Sequence, residues 1–123
     1  VVVNVAFDVD GTIDSFPREF QSLCSALEAA GHHVIIVTGV GGTEVTPDDV
    51  VAKKQYLASL GITMYSQVIV CAHGEKSDED IATEKQQVIE ENDIHMLFDN
   101  DKRNVKAAAA VGVPALLLWN SKQ

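Results

Sequence analysis

The sequence predicts an α/β fold: a five-stranded parallel sheet with helices on both faces, a three-layer Rossmann-like sandwich. Short apolar runs rich in β-branched residues alternate along the chain with segments of helical period, which is the pattern of parallel strands joined by helical crossovers. Right-handed crossovers then put helices on both faces of the sheet. The 123 residues, 46% hydrophobic, suffice for one core and not two, so a single domain over 1–123 is expected.

The first strand is the run Val1-Val2-Val3-Asn4-Val5-Ala6-Phe7, which ends in Asp8-Val9-Asp10-Gly11-Thr12. Phe20, Leu23, Cys24, Leu27 and Ala30 then recur at helical spacing after Pro17, and Gly31 follows as a stop. Strand two is Val34–Thr38, and the Gly-rich stretch Gly39–Val45 reads as a loop. Thr46-Pro47-Asp48-Asp49 offers an N-cap, a proline at the first helical position and an acidic first turn, opening a helix that runs to Leu60. Strand three is Gln67–Cys71. In the segment Ser77–Asn92, Ser77 with Asp80 could cap one long helix, but Thr83 with Gln86 makes the better capping box and puts Lys85 in the first helical turn. Ile94–Phe98 is strand four, Asn104 to Gly112 marks the last helix, and Pro114–Leu118 gives the final strand.

The net charge of −9 opposes non-specific binding to nucleic acid or anionic membrane. No apolar stretch approaches the roughly 20 residues that span a bilayer. The N-terminal Val run is too short for a secretory core and lacks a basic flank. Cys24 and Cys71 match no metal or redox spacing and read as two small buried thiols, which suits a reducing, cytoplasmic setting.

Carboxylates at the C-terminal end of a buried strand emerge at the rim where open α/β sheets bind ligands. Asp8-x-Asp10-Gly11-Thr12 after such a strand resembles the first motif of the haloacid dehalogenase (HAD) superfamily, mostly magnesium-dependent phosphohydrolases. Thr38 at the end of strand two is similar to the second motif. Lys85, fourteen residues before Asp99, is similar to the third, and Asp99-Asn100-Asp101 to the acidic fourth. The resemblance covers essentially the whole chain and implies strand order 3-2-1-4-5.

It also implies a chemistry. Asp8 would be the nucleophile that forms an aspartyl-phosphate, and Asp10 the acid for the leaving oxygen and then the base toward water. Thr38 would hydrogen-bond a phosphate oxygen, and Lys85 would neutralise phosphate and nucleophile charge, with Lys76 as the alternative lysine. Mg²⁺ would be held by the Asp8 carboxylate, the Asp10 carbonyl and Asp99, with Asp101 holding a metal-bound water or, nearly as well, capping a helix. Asn100 stands between the two acids, and either it or Asp101 would serve as the second residue of the metal site. Gly11 would shape the turn, with the amides of Val9 and Gly11 facing phosphate, while Thr12 braces the turn and Asp14 and Ser15 cap a helix. His73 leaves strand three at the same rim, and Lys53-Lys54 reads as a solvated face.

The acid at position 10 favours a phosphatase over dehalogenase or phosphonate-cleaving branches of the superfamily. No room remains for a cap domain between the motifs. Capless members tend to act on large phosphorylated substrates or to borrow a lid from a neighbouring subunit, so a homo-oligomer is compatible. The expected function is a Mg²⁺-dependent phosphomonoesterase of unknown substrate. Two alternatives stand beside it: a non-catalytic metal- or phosphate-binding interaction module, and a nucleic-acid end-processing phosphatase, which the charge disfavours.

Overall fold

A computed structural model describes residues 1–119. Five parallel strands form one sheet: β1 (Asn4–Asp8), β2 (His33–Val40), β3 (Gln67–Ala72), β4 (Met96–Asp99) and β5 (Ala115–Leu117). Their spatial order is β3-β2-β1-β4-β5, as the resemblance implied. Four helices connect them: α1 (Pro17–Ala29), α2 (Pro47–Ser59), α3 (Asp78–Glu91) and α4 (Lys102–Ala110), with a 3-10 turn at Ile13–Ser15 before α1. The connections carry no inserted domain.

Side-chain alternation along the strands divides the core in two. Val5 and Phe7 of β1 and Val34 and Ile36 of β2 face α1 and α2, where they pack with Phe20, Cys24, Leu57 and Ile62. Ala6, Ile35, Val37 and Leu97 face the other way, against Val88 and Ile89 of α3 and Ala108 of α4. Phe7 stacks on Phe98 of β4 with centroids 4.9 Å apart, and Phe20 meets Phe7 edge-on at 5.6 Å. These contacts hold β1 and β4 in register, with Phe7 opposite Phe98.

Several boundaries differ from the sequence reading. Val1 and Val2 are exposed and lie outside β1, because pairing with β2 begins only at Asn4 opposite His33. Strand β2 runs on through Gly39 and Val40, which pair with Cys71 and Ala72, so the loop starts at Gly41. Its near end is tied down, since Gly74 N donates to Gly42 O at 2.9 Å. Ile94 lies outside β4 because it closes α3: its N–H donates to Ile89 O after Asp93 takes a left-handed turn at φ 51°.

The largest correction concerns α3. It is one helix capped by Ser77, whose hydroxyl accepts from Asp80 N, and no cap forms at Thr83. The Thr83 hydroxyl instead donates back to Glu79 O at 3.0 Å, as a mid-helix threonine does. Lys85 therefore lies two turns inside the helix.

Candidate active site

Because the chain turns back after β3 to place β4 on the other side of β1, a crevice opens at the C-terminal ends of β1 and β4. Asp8 ends β1 and Asp99 ends β4, so both carboxylates stand at this crevice. A cavity of about 370 Å³ opens over them, bordered by Asp10, Lys85, His73 and Asn100 among others.

Lys85 reaches up from α3 and places its ammonium between the two acids, 2.7 Å from Asp99 Oδ2 and 3.5 Å from Asp8 Oδ1. Burial alone would lower the Lys85 pKa, but the charges of Asp8 and Asp99 overturn it and hold the group above its ordinary value. Asp8 shifts the other way. Burial lifts its carboxyl to about 7, with the Asp99 and Asp10 charges adding and Lys85 opposing. Asp99 is wholly buried and fully bonded: Oδ2 also accepts from Asn104 Nδ2 at 3.1 Å, and Oδ1 from Asp101 N at 2.9 Å.

The turn after β1 is built to present Asp8. Gly11 adopts φ +79°, and a Cβ there would collide with the Asn100 amide. Its N–H donates to Asp14 Oδ1 at 2.8 Å, so it does not face the pocket as expected, and Asp14 braces this turn rather than capping a helix. Thr12 braces it too, donating to Asp8 Oδ2 at 3.3 Å. Asn100, with its amide nitrogen turned toward acceptors, donates to Asp8 Oδ2 at 3.0 Å and to the Asp10 carbonyl at 3.1 Å. The Asp10 side chain is exposed at the mouth of the cavity.

Other expected residues fall differently. Asp101 Oδ1 accepts from Arg103 N at 2.8 Å and caps α4, the second of the two roles the sequence left open. Thr38 is buried, but it lines a small recess with Glu84 and Lys85 rather than the main cavity, and its hydroxyl has no hydrogen-bond partner among the described residues. Lys76 pairs with Glu84 away from Asp8, which leaves Lys85 as the lysine of the crevice. His73 borders the cavity and packs directly on Gly39, where a Cβ would strike its ring. Burial lowers the His73 pKa, against the pull of Glu84 3.8 Å away. Burial pushes the Cys24 thiol up to about 12, consistent with an inert core thiol.

The donor set bears directly on magnesium. Asp8 Oδ2 and the Asp10 carbonyl converge on one point, marked here by the Asn100 amide nitrogen, and both are the hard oxygen ligands that Mg²⁺ takes. One or two such oxygens with water and a substrate phosphate are enough for this ion. Among the described residues no group of three or more His, Cys, Asp or Glu side chains is arranged as a metal site. Asp8 and the Asp10 carbonyl therefore fit the ion once the Asn100 amide yields that point, whereas Asp99 Oδ2 is held by Lys85 and Asn104 and its Oδ1 by Asp101 N.

Sequence reasoning missed Asn104, Glu84 and the Asn100 amide. Asn104 had one signal, its place in the first turn of α4 just beyond Asp99. The others depend on which strand ends meet in space.

No family model and no curated protein matches the chain. Similar solved structures include an uncharacterized protein from Corynebacterium glutamicum ATCC 13032 Kitasato, 19% identical with a TM-score of 0.64, over 99% of this chain and 88% of that one. A universal stress protein from Archaeoglobus fulgidus is 13% identical with a TM-score of 0.56, over 95% of this chain and 93% of that one. Among the described residues no helix is long and apolar enough to cross a membrane. At these identities the likeness shows the fold, a Rossmann-like α/β sandwich shared with the universal stress protein.

Proposed function

We propose that the protein is a magnesium-dependent phosphomonoester hydrolase of the haloacid dehalogenase type, acting through Asp8. The observation that carries the reading is the Lys85 ammonium held between Asp8 and Asp99 under an open cavity that Asp10 borders. A buried lysine spanning two carboxylates is costly to desolvate, and its place at the crevice of the sheet supports a role in charge neutralisation over a purely structural one.

In this reading an Asp8 oxygen attacks phosphorus, and the bond from phosphorus to the ester oxygen breaks as that oxygen takes a proton from Asp10. Water then gives a proton back to Asp10 and attacks the aspartyl-phosphate at phosphorus, releasing phosphate and restoring Asp8. Lys85 offsets the negative charge that gathers on Asp8 and the phosphoryl oxygens. Thr12 fixes the Asp8 rotamer, and Asp99 with Asn104 fixes Lys85. Magnesium, when bound at Asp8 and the Asp10 carbonyl, would supply the positive charge that lets an anionic nucleophile approach an anionic ester. The orphaned Thr38 hydroxyl is available to a phosphate oxygen only if the recess it lines opens toward the cavity.

Hydrolysis of an aryl phosphate with Mg²⁺ tests this. Asp8→Asn should abolish turnover while the circular dichroism spectrum stays native. Substantial residual turnover would exclude the covalent route, and an inactive wild type across a broad phosphoester panel would favour the interaction-module reading.

A further inference from the structure

Beside the crevice runs a second groove, of about 580 Å³, lined by Asn100, Asp101, Lys102, Arg103, Lys106 and Trp119. It shares Asn100 and Asp101 with the cavity over Asp8, so the two adjoin. Three of the nine lysines and arginines of a chain with net charge −9 gather here. That clustering runs against the field of the rest of the molecule.

Two of the charged groups in the groove are already committed. Arg103 is paired with Asp78 at the start of α3, and Asp101 caps α4. Lys102 and Lys106, one turn apart on α4, form no ion pair among the described residues. Lys102 Nζ lies 5.5 Å from the centre of the Trp119 ring. Trp119 is the sole tryptophan of the chain and is 62% exposed. A large indole left open to water beside two cations offers a stacking surface next to an anion site.

We propose that this groove is a subsite for a nucleotide carrying a second phosphate: its base stacks on Trp119, the second phosphate lies between Lys102 and Lys106, and the other phosphate reaches Asp8. The assignment rests on the phosphatase reading for what happens at Asp8, but not for binding in the groove. A small nucleotide is favoured over a nucleic-acid chain because the chain carries a net charge of −9, which opposes a longer polyanion extending beyond the groove.

Trp119 reports on its own occupancy. Fluorescence titrations of the Asp8→Asn protein with adenosine 3′,5′-bisphosphate, AMP and phenyl phosphate separate the contributions of second phosphate, base and single phosphate. The bisphosphate should quench Trp119 and bind at least about tenfold tighter than phenyl phosphate, with AMP between them. Lys102→Ala with Lys106→Ala should weaken the bisphosphate about tenfold more than phenyl phosphate. Trp119→Ala should weaken bisphosphate and AMP alike, measured by competition.

All three positions are exposed or lie on an open helix face, and a matched melting temperature confirms that each variant folds. Equal affinity for the three probes, or no selective loss in the lysine variant, would overturn the proposal. A short single-stranded oligonucleotide with a terminal phosphate that binds tighter than the bisphosphate would overturn it in favour of a nucleic-acid end. Tight bisphosphate binding by a protein with no hydrolytic activity would support the subsite and sink the phosphatase reading alone.

Discussion

Asp8 carries opposing demands, because burial favours its protonated form while its proposed chemistry needs the carboxylate. Its folded pKa, about 7, lies above the ordinary 3.8. Between these values the folded protein binds a proton that the unfolded chain does not, so Asp8 favours the native state fully below the lower value, and this contribution is lost as pH rises through the upper one. Asp8→Asn, which mimics the protonated acid, should leave stability near pH 4 almost unchanged and raise it at pH 8 by at least about 1 kcal/mol, read from thermal unfolding at both pH values. A variant equally or less stable than wild type at pH 8 would show that Lys85 already holds Asp8 ionised. At this scale the sequence disclosed Asp8, Asp10, Lys85 and Asp99 through their order. The cap that Asp101 forms on α4 was one of two roles open in the sequence, whereas the bonds of Asn100 to Asp8 and the Asp10 carbonyl depend on where the end of β4 meets the turn after β1.

Helix α3 shows how a local rule can mislead an element boundary. Thr83 and Gln86 satisfy a capping pattern, but Ser77 with Asp78, Glu79 and Asp80 in the first turn starts the helix earlier, where acids complement the helix dipole. Val88 and Ile89 then face the sheet, and Lys85, one turn earlier, stands under Asp8 and Asp99. Ser77→Ala should cost about 1 kcal/mol in chemical denaturation, whereas Thr83→Ala should be neutral or slightly stabilising because its hydroxyl only bonds back to Glu79 O. The opposite ranking would restore the shorter helix. Strand β2 was underestimated for another reason: Gly39 and Val40 look like loop in a Gly-rich stretch, yet pairing with Cys71 and Ala72 draws them into the sheet, and Gly39 leaves room for the His73 ring. Apolar runs identified the strands, but their ends were set by the neighbours they pair with.

For the molecule as a whole, a cation that binds the folded chain stabilises it by mass action, by about 2.7 kcal/mol at a hundredfold excess over Kd. Magnesium should therefore raise Tm together with phosphatase activity. Asp8→Ala should remove the rise in Tm and Asp101→Ala should keep it, since Asp101 serves α4; loss of the response in Asp101→Ala would return that residue to the metal site. The fold class was legible because alternating strand and helix signals admit few right-handed arrangements, whereas the strand order rested on the family resemblance. That order has a consequence for biosynthesis. β1 leaves the ribosome before the other strands of this sheet and ends at its centre, and its second neighbour, β4, emerges only after β2 and β3. Until then one flank of Val5-Ala6-Phe7, which the finished protein hides completely or nearly so, is a bare, apolar template for mispairing. The crevice between β1 and β4 thus comes with a period of vulnerability in the nascent chain, and co-translational chaperones would matter most between the appearance of β1 and that of β4.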